Sequence, residues 1–207
     1  MHFQKGHIYH IYNQGNNRQR IFYKRENYLF FLRKIDVFIK PYGDILAWCL
    51  MPNHFHLMML VNEVDLPFKS SVVLKDNIKS RSLNQSIGIM LRSYTSAVNK
   101  QENRTGKLIR EKTKTECVTC CDIDYSRHFF ADGSAVQKNI PLEKQYPKVC
   151  FDYIHLNPVK AKIVKEITFW EFSSARDYYG DRIGKLINKE KAREYGLISP
   201  PPTHQLL

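Results

Sequence analysis

Ile45-Leu46-Ala47-Trp48-Cys49-Leu50-Met51-Pro52-Asn53-His54-Phe55-His56-Leu57-Met58-Met59-Leu60-Val61 is the stretch that decides the fold. Two apolar runs of strand length, residues 45–51 and 54–61, are divided by the turn signal Pro52-Asn53. That pattern predicts a β-hairpin. Side chains two apart in a strand point to the same face, so His54 and His56 share one face while Phe55 turns toward the core. Two neutral imidazoles suit a divalent cation, and a site with two or three protein ligands leaves positions open to phosphate oxygens. Spacing alone does not establish such a site, because imidazole has many ordinary roles.

Upstream of the hairpin, Ile8, His10 and Tyr12 alternate with Tyr9, Ile11 and Asn13, which predicts a first strand. Gln14-Gly15-Asn16-Asn17 is turn chemistry and leads into the basic loop Arg18-Gln19-Arg20. Residues 26–40 carry Leu29, Phe30, Leu32, Ile35 and Phe38 at helical spacing, with a basic outer face that includes Arg33. Downstream, Leu83, Ile87, Met90, Leu91, Tyr94 and Val98 predict a second helix over residues 80–100, with Arg81 and Arg92 among its polar positions.

Residues 107–121 read as extended and basic at the start, and residues 122–147 as loops with one short strand. Residues 148–164 are helical in pattern but interrupted at Asn157-Pro158, since proline disfavours helical geometry in the residue before it. The aromatic segment 169–179 is expected on the core. A loosely docked tail, residues 180–207, should follow the domain formed by residues 1–179. The order of elements gives an α+β fold, a central antiparallel sheet with helices packed on it.

The chain has 207 residues and a hydrophobic fraction of 43%, ordinary for a globular domain. The apolar stretch around His56 is far too short to cross a bilayer, and the N-terminal residues lack the apolar core of a secretion signal. The expectation is a cytoplasmic protein with no membrane partner. Five cysteines cannot all pair, which suits a reducing compartment. The net charge of +12 calls for a polyanionic partner, and 13% aromatics add the stacking surfaces that single strands require. No glycine-rich phosphate loop and no serine–histidine–acid arrangement is present, which disfavours nucleotide hydrolysis and acyl transfer.

Four stretches carry a resemblance, and they fall in family order. They are Tyr9-His10-Ile11-Tyr12-Asn13-Gln14-Gly15-Asn16-Asn17, the segment from Ala47 to Leu57, Phe151-Asp152-Tyr153-Ile154-His155-Leu156-Asn157-Pro158-Val159-Lys160-Ala161, and Trp170-Glu171-Phe172-Ser173-Ser174. Together they resemble the REP-associated tyrosine transposases, relatives of the single-tyrosine HUH transposases. The resemblance implies an HUH-type α-β sandwich that cuts single-stranded DNA beside a hairpin through a covalent 5′-phosphotyrosine. It places His54 and His56 on the family's metal-binding pair and Tyr153 on its nucleophile. Asn157 falls on the position completing the metal site, and the implied cofactor is Mg2+ or Mn2+. Among twelve tyrosines, only this context separates Tyr153 from Tyr146, Tyr178 or Tyr179.

Arg18, Arg20, Arg81, Arg92, Lys107, Arg110, Lys112 and Lys114 are the candidates for DNA backbone contacts, as a cationic groove requires. Cys117, Cys120 and Cys121 invite a zinc reading with His128, but structural zinc usually takes two ligand pairs and no second pair stands at a suitable distance. Ordinary buried thiols are therefore the favoured reading. Two other functions compete with the enzyme. One is a hairpin-binding module that does not cut; the other is an HUH replication or conjugation initiator, which usually carries further domains. A site within one chain and a site shared across a homodimer are equally compatible with the sequence.

Overall fold

A computed structural model describes residues 2–68, 79–120 and 142–198. A four-stranded sheet organises the molecule, with strand order β2-β3-β1-β6 and every neighbouring pair antiparallel. Its strands are β1 (Ile8–Gln14), β2 (Gly43–Met51), β3 (His54–Val61) and β6 (Lys114–Cys117). Between them, β4 (Asp65–Phe68) and β5 (Lys79–Ser82) form a separate two-stranded sheet. The helices are α1 (Arg25–Phe38), α2 (Leu83–Gln101), α3 (Leu142–Lys160) and the short α4 (Ala175–Tyr179) and α5 (Lys189–Glu194). The expected hairpin is present, β2 meeting β3 across Pro52-Asn53 with Met51 opposite His54.

Strand alternation sorts the sheet's side chains into two cores. Tyr9, Ile11, Trp48, Leu50, Phe55, Leu57 and Met59 join Phe31 and Ile35 of α1 and Ile87, Met90 and Tyr94 of α2. Ile8, Ala47, Cys49, Met51, Met58 and Leu60 face the other way, onto Tyr146, Cys150, Phe151 and Ile154 of α3. Burial of each large apolar side chain stabilises the fold by about 1.5–3 kcal/mol. Ser82 caps α2, its hydroxyl accepting from the Gln85 N–H at 3.2 Å, while the Gln85 side chain accepts from the Ser82 N–H at 3.0 Å. The reciprocal cap explains why the helix begins at Leu83 and residues 80–82 stay extended.

Three expectations need correction. Helix α3 runs unbroken through Pro158 and starts at Leu142, so residues 142–147 are helical; residues 122–141 lie outside the described residues. Pro158 removes one N–H from the ladder, yet the bond from Ala161 N–H to the Asn157 carbonyl at 2.9 Å continues it. Packing on the sheet outweighs the local proline preference, as tertiary contacts commonly do. Second, of residues 107–120, only Lys114–Cys117 forms a ladder strand.

Third, residues 180–198 are docked rather than loose, and residues 199–207 of the expected tail lie outside the described residues. Arg182 grips the Asp177 carboxylate with two nitrogens at 2.6 and 2.8 Å and donates to the carbonyls of Glu171 and Ser173. Asn188 N–H bonds the Ile45 carbonyl at 2.8 Å, and Ala192 and Leu197 are fully buried in the α3-side core. Polar composition conceals this docking, because the apolar side chains in it follow no regular period. The aromatic segment lies where expected: Leu50 N–H bonds the Phe172 carbonyl at 2.8 Å, Ser174 N–H bonds the Trp48 carbonyl at 2.9 Å, and Phe172 stacks on Tyr28. Together with residues 187–188, this segment covers the outer edge of β2 and satisfies its backbone groups.

Candidate metal and nucleophile site

The α3-facing side of the sheet is apolar at one end and polar at the other. Register produces the division, because β1 pairs with β3 so that Tyr12 lies opposite His56 and Gln14 opposite His54. On the other flank of β1, Tyr12 lies opposite Lys114 and His10 opposite Glu116. His10, Tyr12, His54, His56, Lys114 and Glu116 therefore share one face. Helix α3 crosses above it, and Tyr153 and Asn157, four residues apart, fall on one side of that helix. The His54 and His56 ring centroids are 5.0 Å apart, and Tyr153 stands edge-on to His56 at 5.4 Å. A cavity of about 210 Å³ is lined by Tyr12, Asn13, Gln14, His54, His56, Arg110, Lys112, Lys114 and Tyr153.

The hydrogen bonds fix which ring nitrogens face this cavity's chemistry. His10 Nδ1 lies 3.9 Å from Glu116 Oε2, beyond hydrogen-bond length, and the nearby carboxyl group favours the tautomer with its proton on Nδ1. His10 Nε2 then accepts from His56 Nδ1 at 2.9 Å, with both rings buried at 2% and 5% exposure. His56 Nε2 is left with a bare lone pair, and it is a buried atom with no hydrogen-bond partner. Such an orphan is costly unless a ligand completes it. Asn53 Oδ1 holds His54 Nδ1 at 2.6 Å, which in the same way leaves Nε2 of that ring for another partner. Glu116 is anchored in turn by the Tyr12 hydroxyl, which donates to Oε1 at 2.5 Å.

Both imidazoles are held neutral. Burial and the adjacent His10 and His54 rings push His56 well below the ordinary imidazole value. Burial also lowers His54, against an opposing hydrogen bond with Asn157 that favours the protonated ring, as an accepting amide oxygen does. Asn157 spends its amide nitrogen on the Tyr153 carbonyl at 2.8 Å, which leaves its oxygen for this role. Burial raises the Tyr12 hydroxyl, and the Glu116 carboxylate raises it further. A phenol so placed is a poor nucleophile and a good strut.

The expected basic residues divide by place. Arg110, Lys112 and Lys114 line the cavity with the histidines and Tyr153. Arg92 and Lys107 line an adjoining cavity of about 680 Å³ that Arg110 also borders. Lys107 is paired with Glu111 at 2.7 Å. Arg18, Arg20 and Arg81 line neither cavity. The first two sit on the loop pinned to the hairpin turn, where Ile21 N–H bonds the Pro52 carbonyl at 2.8 Å and Asn53 Nδ2 bonds the Arg18 carbonyl at 3.3 Å. The third lies in β5, where its carbonyl accepts from the Tyr42 hydroxyl.

His10, Tyr12 and Glu116 belong to the site and were not singled out as functional from the sequence. His10 and Tyr12 were visible as one face of the first strand, but Glu116 becomes a neighbour only through the long-range pairing of β1 with β6. His155, four residues from Phe151 on the core side of α3, is fully buried and bonds Ser174 Oγ at 2.7 Å, away from the cavity. Cys117 and Cys120 form a disulfide rather than free thiols. Cys121 and His128 lie outside the described residues.

Fold and geometry together define an α+β sandwich with a histidine pair on a central strand and a tyrosine on the covering helix. Among solved structures, one sharing this fold is a REP-associated tyrosine transposase bound to a REP hairpin, with a TM-score of 0.55 and 18% identity over 91% of this chain and 92% of that one. The likeness fixes the fold and leaves the activity to the chemistry of the site. No family model and no curated protein matches the sequence. Among the described residues, no helix is long and apolar enough to cross a membrane.

Proposed function

We propose that the chain is a metal-dependent, transposase-type endonuclease and strand transferase, acting on single-stranded DNA beside hairpins with Tyr153 as its nucleophile. The observation that carries this reading is the meeting of His54, His56 and Tyr153 in one cavity with Arg110, Lys112 and Lys114. The donors fit a divalent cation: two neutral imidazoles, one with a buried and unsatisfied Nε2, and the amide oxygen of Asn157. Three ligands leave room for phosphate oxygens, and nitrogen donors favour Mn2+ over Mg2+. A cation bound there would polarise a phosphoryl oxygen and fix the orientation of the scissile phosphate.

The protein's own groups do the rest. Arg110, Lys112 and Lys114 hold the DNA backbone, and α3 holds the Tyr153 hydroxyl over the cavity. The phenolic oxygen attacks phosphorus and gives up its proton to water. A P–O bond to Tyr153 forms, the bond to the 3′ oxygen breaks, and that oxygen leaves as a hydroxyl after taking a proton from water. The phosphotyrosine ester retains the energy of the broken linkage, so an incoming 3′-hydroxyl can displace Tyr153 with no nucleotide cofactor. All of these groups come from a single chain, so the reading requires no second copy. The hairpin carried by the solved transposase supplies the precedent for the DNA partner.

Tyr153→Phe tests the proposal directly. Incubated with Mn2+ and labelled single-stranded hairpin DNA, the native chain should form a covalent adduct that survives denaturation. The variant should shift the same DNA with little change in affinity and form no adduct. Undiminished adduct in the variant would remove Tyr153 from the mechanism. An intact strand with the native protein would leave a module that binds without cutting.

A further inference from the structure

A second cluster of metal-ligating side chains lies at the far end of β6, outside the catalytic cavity. Val118 N–H bonds the Ile8 carbonyl at 2.7 Å, and Ile8 N–H bonds Thr119 Oγ1 at 3.0 Å, so the start of β1 and the turn after β6 are tied together. His7 stands just before β1 and turns Nδ1 toward that turn, 3.3 Å from Thr119 Oγ1 and 3.7 Å from Cys120 Sγ. The ligand atoms of His7, Cys117 and Cys120 all lie within 4.8 Å of one another. All three residues are half-buried. Cys117 packs with the α1- and α2-side core, opposite to the face that carries Glu116, so the cluster is separate from the His54–His56 pair.

We infer that, in the reduced protein, His7, Cys117 and Cys120 form a binding site for a zinc-class divalent ion. The Cys117–Cys120 disulfide closes a loop of very few residues and so constrains the unfolded chain little. Two equivalents of a low-molecular-weight thiol reduce it to two thiols, the reductant leaving as its own disulfide. A Zn2+ ion then displaces the two thiol protons to water, forming two Zn–S bonds and one Zn–N bond with a water oxygen in the fourth place. Thiolates select such an ion over Mg2+ or Mn2+, so the two sites sort metals by donor type. His7 is the member that sequence spacing could not supply, because it joins the cysteines only through the β1–β6 pairing. The ion would clamp the end of the short edge strand that carries Lys114 into the cavity beside the histidines and sets Glu116 against Tyr12.

The test is a Co2+ titration of the full chain, reduced and freed of metal, in a His54→Ala/His56→Ala background that disables the other site. One equivalent of Co2+ should produce the thiolate-to-cobalt charge-transfer band that only cysteine ligation gives, and one equivalent of Zn2+ should bleach it. Cys117→Ser and Cys120→Ser should each abolish the band, and His7→Ala should weaken binding at least tenfold. The oxidised protein, with its fold intact, should give none, which guards against a cysteine variant that fails to fold. Absence of the band in the reduced chain, its survival in Cys117→Ser, or a disulfide that resists excess thiol would each overturn the assignment.

Discussion

Replacing His10 by phenylalanine separates the positioning of the proposed metal ligand His56 from the ligand itself. The variant keeps an aromatic ring in a buried position that Tyr12 and His56 stack against, at centroid distances of 4.6 and 5.1 Å. It removes the acceptor for His56 Nδ1, now satisfied at 2.9 Å. Stranding that buried N–H costs about 1–3 kcal/mol. The ring can recover the loss only by rotating, which turns Nε2 out of line with the cavity. Loss of a group that orients a metal-bound histidine typically lowers metal affinity about 10–100-fold. At about 1.36 kcal/mol per decade that span falls in the same range, so the two routes agree.

Calorimetric titration with Mn2+ should therefore show a Kd raised about 10–100-fold. Adduct formation at saturating Mn2+ should recover to within a few-fold of the native rate, because Tyr153 and Asn157 are untouched. His10→Gln, whose amide oxygen can occupy the Nε2 position, should restore most of the affinity. An unchanged Mn2+ Kd in His10→Phe would refute the relay. A rate that stays low at saturating metal would show that His10 acts on something other than His56.

Three further outcomes follow from the same structure. Arg182→Ala leaves the Asp177 carboxylate, 2% exposed, without its bidentate partner, and should destabilise the fold by about 3–5 kcal/mol in urea unfolding; a loss under 1 kcal/mol would mean that the segment beyond Gly180 is not fastened there. Burial drops the His155 pKa to about 3. The unfolded ring binds a proton below about pH 6.5 and the folded ring does not until about pH 3, so stability is full above the first value and falls as pH falls toward the second. That contribution is about 2 kcal/mol by pH 5, and His155→Gln should flatten the melting-temperature profile between pH 5 and 6.5 relative to the native chain. Converting Arg110, Lys112 and Lys114 together to glutamine should reduce the slope of log Kd for single-stranded DNA against log salt by about 2, and an unaltered slope would place the backbone elsewhere.

The sequence was most legible where function and secondary structure use the same periodicity. A two-residue repeat puts His54 and His56 on one face of a strand, and the pairing of β1 with β3 shows which face that is. What pattern could not show was pairing at a distance. Glu116 stands on a four-residue edge strand too short to announce itself, and only its place opposite His10 brings it to the site. The break expected at Pro158 failed for the opposite reason, since a local preference gave way to the packing of Phe151 and Ile154 on the sheet. The docking of residues 180–198 is hidden in the sequence because its apolar contacts, Leu186, Ile187, Ala192 and Leu197, follow no regular period and are joined by the polar anchors Arg182 and Asn188.

The pairing of β1 with β3 is where the fold and the proposed chemistry become inseparable. With Tyr12 opposite His56, the even-numbered residues of both strands face α3, and His10 lies one diagonal step from His56. A slip of one residue would turn His10 and Tyr12 onto the α1–α2 side and bring Tyr9 and Ile11 beneath Tyr153. The register is held by large apolar side chains on both faces, Ile11 and Leu57 on one and Ile8 and Met58 on the other, so a slip would expose both sets to the wrong core. Gly15 locks the end of the strand: its N–H bonds the Asn53 carbonyl at 2.7 Å, one residue before His54, and a β-carbon there would collide with the Gln19 carbonyl. Substituting alanine at Gly15 should thus disturb His54 through the hairpin turn, although it touches no site residue. The histidine pair is placed by hydrophobic register at one end and by a backbone contact at the other, so the geometry of this deep polar cluster is set by packing on both faces of the sheet.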